Sequence, residues 1–217
     1  DIESSIKARD FSLAYPSKSY WSAGLHPHEA DGLEDVKQEL LSLMQDADLI
    51  GETGLDYYRN LSSKENQIKN FEFHINIAED LNKPLIIHCR DSFSDVFDIL
   101  SNRNLNNPII LHSWTGGNKW TKKFVELGVY FSISGIITYD TAHDLQAAVT
   151  KIPTDKLLLE TDVPYLAPQP FKGKRNNPTY IKYTGAKVAE LIDLTPNELS
   201  KITITNTNKV MNRENNE

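Results

Sequence analysis

The sequence LIGE at residues 49–52 decides the fold, because it is a short branched apolar run that ends on a carboxylate. The same arrangement returns in LIIH at 85–88, IILH at 109–112 and LLLETD at 157–162. Such runs are typical of strands buried on both faces, and the polar residue marks where the strand leaves the core. Carboxylates and imidazoles at several strand ends predict a shared metal site. Its candidate ligands are Glu52, His88, His112 and Asp162.

Strand signals alternate with helix signals outward from these runs. The predicted strands are residues 21–25, 49–51, 85–87, 109–111, 129–134 and 157–159. Each begins roughly 20 to 35 residues after the previous one, which is the size of a βα unit. Ser62 and Glu65 have the capping-box spacing of a helix start, and so do Thr195 and Glu198 with Pro196 between them. The chain is therefore predicted to be an α/β protein.

Repeated βα units imply a parallel sheet with right-handed crossovers. Functional side chains at the ends of several different strands favour a TIM (β/α)8-type barrel over an open sheet with one switch point. A closed barrel has eight strands, whereas about six are visible in the sequence. We therefore predict one barrel domain over residues 1–217 that lacks about the first two βα units.

The composition limits how the protein can act. The chain has 217 residues, is 39% hydrophobic and carries a net charge of -7. A chain this acidic does not bind nucleic acid through diffuse attraction, so any phosphate recognition must be local. Its single cysteine, Cys89, excludes an intrachain disulfide and suits a reducing compartment. With no signal peptide and no apolar stretch of about 18 residues, a cytoplasmic protein away from membranes is expected.

Six motifs carry a family resemblance from Trp21 to the end of the chain. They are WSAGLHPHEA, LIGETGLDYYR, PLIIHCRDS, PIILHSWTGG, LLLETDVPYLAP and KGKRNNP. In this order and spacing the sequence resembles the TatD family of metal-dependent deoxyribonucleases. The resemblance implies a barrel hydrolase of the amidohydrolase type that uses one or two divalent metals to cleave DNA phosphodiesters.

The resemblance also implies roles for the four candidate ligands. Glu52 would bridge two metals, His88 and His112 would bind the second, and Asp162 would bind the first. Glu52 and Asp162 are the catalytic candidates, with Asp162 a ligand first and a general base second. The family's His-x-His pair on the first strand is not found here, because His26 and the histidine two residues later belong to the separate GLHPH motif. Such mixed ligands suit Mg, Mn or Zn without naming one.

Residues near the strand ends are the candidates for substrate binding. Arg90 follows His88 by two positions, where a guanidinium could grip two phosphate oxygens. Trp114 could stack on a nucleobase or pack beneath the site. The full set of substrate-binding candidates is Arg90, His26, Arg59, Lys174 and Arg175.

Two other functions remain open from the sequence. The same fold and metals serve metal-dependent amidohydrolases and esterases, and the fold cannot choose between these reactions. A binding module with impaired catalysis is the third possibility, because the His-x-His pair is missing. Phosphodiester chemistry should depend on Arg90 and the basic loop at Lys174 and Arg175, whereas a small neutral substrate should not.

Overall fold

The computed structural model describes residues 1–16, 19–104 and 106–212. The described strands form one sheet in sequence order, and the recorded neighbouring pairs β1–β2, β2–β3 and β5–β6 are parallel. The strands are β1 (Ser22–Ala23), β2 (Leu49–Asp56), β3 (Leu85–Arg90), β4 (Ile109–Leu111), β5 (Tyr130–Ile133) and β6 (Leu157–Leu159). This order confirms the predicted parallel α/β architecture.

Helices separate the strands as predicted. The α-helices are α1 (Ile2–Ala14), α2 (Leu33–Asp46), α3 (Lys64–Leu81), α4 (Phe93–Ser101), α5 (Asn118–Glu126), α6 (His143–Val149), α7 (Ile181–Leu191) and α8 (Pro196–Val210). Short 3-10 segments add Pro27–Gly32, Gly135–Thr138, Thr154–Lys156 and Pro178–Tyr180. Within the described part of the chain, every helix is too short or too polar to cross a membrane.

The chain divides into two compact units, residues 1–110 and 111–217. In the first unit, α3 buries Phe71, Ile75 and Ala78 at helical spacing, as expected for a stripe that faces a core. The helix is capped by Ser63, whose hydroxyl accepts the Asn66 N–H, so the predicted cap at Ser62 is wrong by one residue. Ser62 is buried instead, and its hydroxyl donates to the backbone oxygen of His28.

Strands β2 and β3 are longer than the sequence suggested. The predicted strand covered residues 49–51, with Glu52 as the residue where it leaves the core. In the structure both Gly51 and Gly54 lie inside β2, where β3 passes too close for a side chain. A Cβ at position 54 would lie 2.1 Å from the backbone oxygen of His88. The strand therefore continues to Asp56, and Glu52 lies within it rather than at its end.

The second unit has an aromatic core and a firmly capped last helix. Trp114 is only 1% exposed and donates its ring N–H to the Thr121 hydroxyl, so its role is packing and not base stacking. The predicted capping box at Thr195 and Glu198 is confirmed. The Asn206 amide in α8 donates to the backbone oxygens of Thr154 and Leu157, which ties that helix to the start of β6.

Candidate metal centre

A cluster of two imidazoles and one carboxylate lies in the first unit, and we call His26, Glu52 and His88 the first cluster. Glu52 comes from β2, His88 from β3, and His26 from the turn before the first 3-10 segment. The His88 Nδ1 lies 2.8 Å from Glu52 Oε1, and the His26 Nε2 lies 3.8 Å from the same oxygen. One potential ligand atom from each residue lies within 4.8 Å of the others, so the three can approach one cation.

Asp56 supports this cluster from a fully buried position. Its Oδ2 lies 2.8 Å from His28 Nε2 and 3.1 Å from His88 Nε2. Its Oδ1 accepts the backbone N–H groups of Tyr58 and Arg59, at 3.0 and 2.8 Å. Sequence reasoning missed Asp56 because it ended β2 too early. The signal was the GETGLD motif, in which Asp56 follows the buried Leu55.

The protonation behaviour of these groups follows from burial and charge. Burial lowers the pKa of His26 to about 4, so this imidazole is neutral at neutral pH. Burial also acts to lower the pKa of His88, but hydrogen bonds with Asp56 and Glu52 outweigh it and leave that pKa raised. Burial acts to raise the pKa of Asp56, but contacts with His88, the Arg59 N–H and His28 bring it well below its ordinary value. Asp56 is therefore a carboxylate that stabilises positive charge around His88.

A further group, which we call the second cluster, lies in the second unit and consists of His112, Glu160 and Asp162. The His112 Nε2 lies 3.9 Å from Asp162 Oδ1. Its Nδ1 forms a hydrogen bond with Glu160 Oε2 at 3.1 Å. The other oxygen, Oε1, lies 3.0 Å from Nδ1 but without the geometry of a hydrogen bond. Glu160 was not among the predicted residues, although it stands two positions before Asp162. Its backbone N–H donates to Ile133 and continues the pairing of β6 with β5.

The basic candidates occupy exposed positions. Arg90 ends β3, and its guanidinium lies 3.9 Å from the ring centre of Tyr58, which is 60% exposed. Arg59 is exposed, and its backbone is held by Asp56. Lys174 and Arg175 are exposed in the loop after Asp162.

The same loop is anchored by buried Asn176, whose amide donates to the Tyr165 backbone oxygen. Cys89 is 8% exposed, and burial raises its pKa to about 12. Predicted ligands thus meet within each unit, Glu52 with His88 and His112 with Asp162. Convergence of all four stays a prediction. His26 lies against Glu52, although the sequence had suggested only a substrate contact for it.

Comparisons with known proteins agree on the family. The family described as TatD related DNase matches residues 1–212. An uncharacterized metal-dependent hydrolase of Buchnera aphidicola is 36% identical over 203 residues, which are 89% of this chain and 77% of the relative. The uncharacterized metal-dependent hydrolase YabD of Bacillus subtilis is 36% identical over 197 residues, which are 88% and 76% of the two chains.

Solved structures give the same result. The structure of YjjV, a TatD homologue from Escherichia coli, matches with a TM-score of 0.85 and 27% identity, over 95% of this chain and 84% of that one. A TatD family hydrolase from Entamoeba histolytica matches with a TM-score of 0.84 and 20% identity, over 95% and 80%. The second match supports the fold alone, and both agree with the predicted TIM-barrel type of fold.

Proposed function

Because this chain belongs to the TatD related DNase family and is a metal-dependent hydrolase, we propose that it hydrolyses phosphodiester bonds of DNA. The observation that carries the proposal is the position of the Arg90–Tyr58 pair. Asp56 and Arg90 are paired residues at the ends of β2 and β3, just beyond Glu52 and His88. A guanidinium that can bind phosphate and an exposed aromatic ring thus follow Glu52 and His88 at the ends of these two strands.

The donor set fits a divalent cation. Glu52 is 31% exposed and His88 is 18% exposed, so both can reach a solvated ion from a largely buried position. We assign Glu52 and His88 in the first unit, and His112 and Asp162 in the second, as the metal-binding residues. A divalent ion held there would neutralise phosphate charge and lower the pKa of bound water. Mixed imidazole and carboxylate donors suit Mg, Mn or Zn.

The chain's own residues would bind and orient the substrate. Stacking on Tyr58 occupies one face of the Arg90 guanidinium, so its in-plane N–H groups can address two phosphate oxygens. The outer face of Tyr58 can stack on a base, which tolerates any sequence. His26 is neutral and can donate to a substrate or leaving-group oxygen, and Asp162 can accept a proton after its role in binding metal. Arg59, Lys174 and Arg175 are assigned to further phosphates of the substrate.

The test compares substrate classes in the same preparation. We expect the protein with added Mn or Zn to hydrolyse a single-stranded oligonucleotide, and a chelator to stop the reaction. A panel of neutral amides, lactones and aminoacyl esters should be turned over more slowly. Faster turnover of a neutral substrate, with Arg90→Ala harmless, would replace this proposal with an amidohydrolase or esterase. Binding of DNA and metal without any turnover would indicate a binding module.

The location in the cell is also a proposal. The single cysteine of the chain is buried, and its raised pKa makes it unreactive, which agrees with a reducing compartment. We propose a cytoplasmic protein on this basis.

A further inference from the structure

Each histidine assigned to metal binding has a carboxylate at both of its ring nitrogens. For His88, Glu52 lies at Nδ1 and Asp56 at Nε2, at 2.8 and 3.1 Å. For His112, Glu160 lies at Nδ1 and Asp162 at Nε2, at 3.1 and 3.9 Å. In each case one carboxylate is assigned to the metal and the other is not. The unassigned carboxylates are Asp56 and Glu160.

The position of the ring proton decides whether an imidazole can bind metal. A neutral imidazole carries one N–H and one lone pair, and only the nitrogen with the lone pair can bind a cation. A carboxylate in contact with the other nitrogen accepts the N–H and fixes the proton there. Asp56 can serve His88 in this way because it is an acceptor-only group in a buried site.

The surroundings of Asp56 favour a proton on the ring nitrogen of His88 that faces it. Oδ1 already accepts two backbone N–H groups, from Tyr58 and Arg59. Only Oδ2 faces His28 and His88, and it needs donors from both rings. Glu52 competes for the proton at Nδ1, but it is 31% exposed and can accept hydrogen bonds from water, whereas Asp56 is fully buried. The proton of neutral His88 is therefore assigned to Nε2, which leaves a lone pair on Nδ1 toward Glu52.

The same reasoning separates His26 from the other two histidines. The His26 Nδ1 accepts the backbone N–H of His28 at 3.2 Å, so the proton of neutral His26 belongs on Nε2. That nitrogen is the one that faces Glu52. His26 therefore presents a donor where His88 presents a lone pair, although both lie beside the same carboxylate.

We propose that Asp56 and Glu160 are positioning residues that fix the ring protons of His88 and His112 on the nitrogens away from the metal. His88 would then bind through Nδ1 and His112 through Nε2, while His26 would act as a donor outside the ligand set. The inference rests on the ligand assignment of the proposed function.

The first test uses the variant Asp56→Asn. In this variant the amide oxygen still accepts the two backbone N–H groups. The amide NH2 must then face His88 and donate to Nε2. The proton of His88 then moves to Nδ1 and blocks the ligating atom. We expect metal affinity, measured by calorimetry with Zn or Mn alone, to fall about 10- to 100-fold. Asp95→Asn is the matched control, because Asp95 binds Tyr57 and Lys64 and should leave the affinity unchanged.

For Glu160 we expect the amide variant to keep most of the metal affinity, unlike Asp56→Asn. Its two oxygens both lie near His112 Nδ1, so a glutamine can still turn its carbonyl oxygen toward that nitrogen. Glu160→Leu should weaken metal binding by about 10- to 100-fold, and Glu160→Gln should restore most of it. Glu190→Gln, which changes an exposed acid paired with Lys187, is the control.

Nitrogen NMR of the metal-free wild-type protein at alkaline pH tests the inference without a substitution. The proton should lie on Nε2 of His88 and on Nδ1 of His112, and Asp56→Asn should move it to Nδ1 of His88. A wild-type proton on Nδ1 of His88 would overturn the inference, even if Asp56→Asn fails to fold. Unchanged metal binding in Glu52→Ala and His88→Ala would overturn the ligand assignment itself. Loss in those two variants, with unchanged binding in folded Asp56→Asn, would overturn only the role of Asp56.

Discussion

At both clusters a carboxylate lies beside the imidazole of a predicted ligand, but the two carboxylates differ in how firmly they are preorganised. Beside the first cluster, fully buried Asp56 holds two imidazoles and two backbone N–H groups. In the second, Glu160 is 17% exposed and has one hydrogen bond with one imidazole. A carboxylate with four partners has one possible orientation, whereas a carboxylate with one partner can adjust. The first cluster should therefore tolerate substitution less well than the second.

The largest expected effect is at Glu52. Glu52→Ala removes the carboxylate that lies between His26 and His88, and we expect no measurable turnover because the metal loses a ligand. Steady-state hydrolysis of an oligonucleotide, together with metal content, is the measurement. Substantial activity with bound metal in this variant would contradict the assignment of Glu52.

The next effect concerns the close approach of β2 and β3. Gly54 has a φ of 129°, and a Cβ there would meet the His88 backbone oxygen, so Gly54→Ala should displace His88. We expect the free energy of unfolding to fall by about 3 kcal/mol or more. Gly128 has a φ of 70° with open space around it, so Gly128→Ala should cost only about 1 to 2 kcal/mol. Urea unfolding compares the two, and equal losses would argue against a special role for the strand contact.

Basic residues of the two units should contribute unequally to the reaction. Arg90 is held against Tyr58, whereas Lys174 lies exposed in a loop. Arg90→Ala should raise the activation free energy of DNA hydrolysis by about 2 to 4 kcal/mol, as expected when one preorganised donor is lost. Lys174→Ala should have a smaller effect, since a solvated charge contributes little. The measurement is kcat/KM of each variant relative to wild type on one oligonucleotide. A larger loss for Lys174→Ala than for Arg90→Ala would contradict this prediction.

The last prediction concerns acid stability of the first unit. Burial lowers the pKa of His74 to about 4, and its neutral ring bridges the Leu25 N–H and the Asn70 backbone oxygen. Between pH 6.5 and about 4 the unfolded chain binds a proton that folded His74 does not, so the free energy of unfolding falls as the pH falls. The loss from this group is about 3 kcal/mol.

His74→Gln should flatten this part of the pH profile of stability. The comparison must be between the two proteins, because His26 adds a loss in the same window. His88 has a raised pKa, so it adds stability as the pH falls from that pKa to 6.5 and changes nothing below 6.5. Asp56 has a lowered pKa and loses its contribution only at more acidic pH. Urea unfolding at pH 7 and near pH 4 is the measurement, and parallel profiles for the two proteins would exclude His74 as the cause.

Much of the fold could be predicted because it depends on local patterns. Apolar runs placed β4 and β6 correctly to the residue, and Thr195 with Glu198 gave the correct start of α8. The bounds of β2 were wrong because the local weakness of Gly51 and Gly54 is outweighed by the approach of a strand more than 30 residues away. That approach is a tertiary contact, which no short stretch of sequence specifies.

The sequence by itself determined which types of residue are available to bind metal and their places on successive strands. It could do so because the end of a buried strand is a local feature, and the motifs around Glu52, His88, His112 and Asp162 are specific to one family. Only the tertiary structure decided which carboxylate faces which ring nitrogen. Asp56 and Glu160 were recognised only in the structure, because the proton on an imidazole depends on a partner that is distant in sequence and close in space.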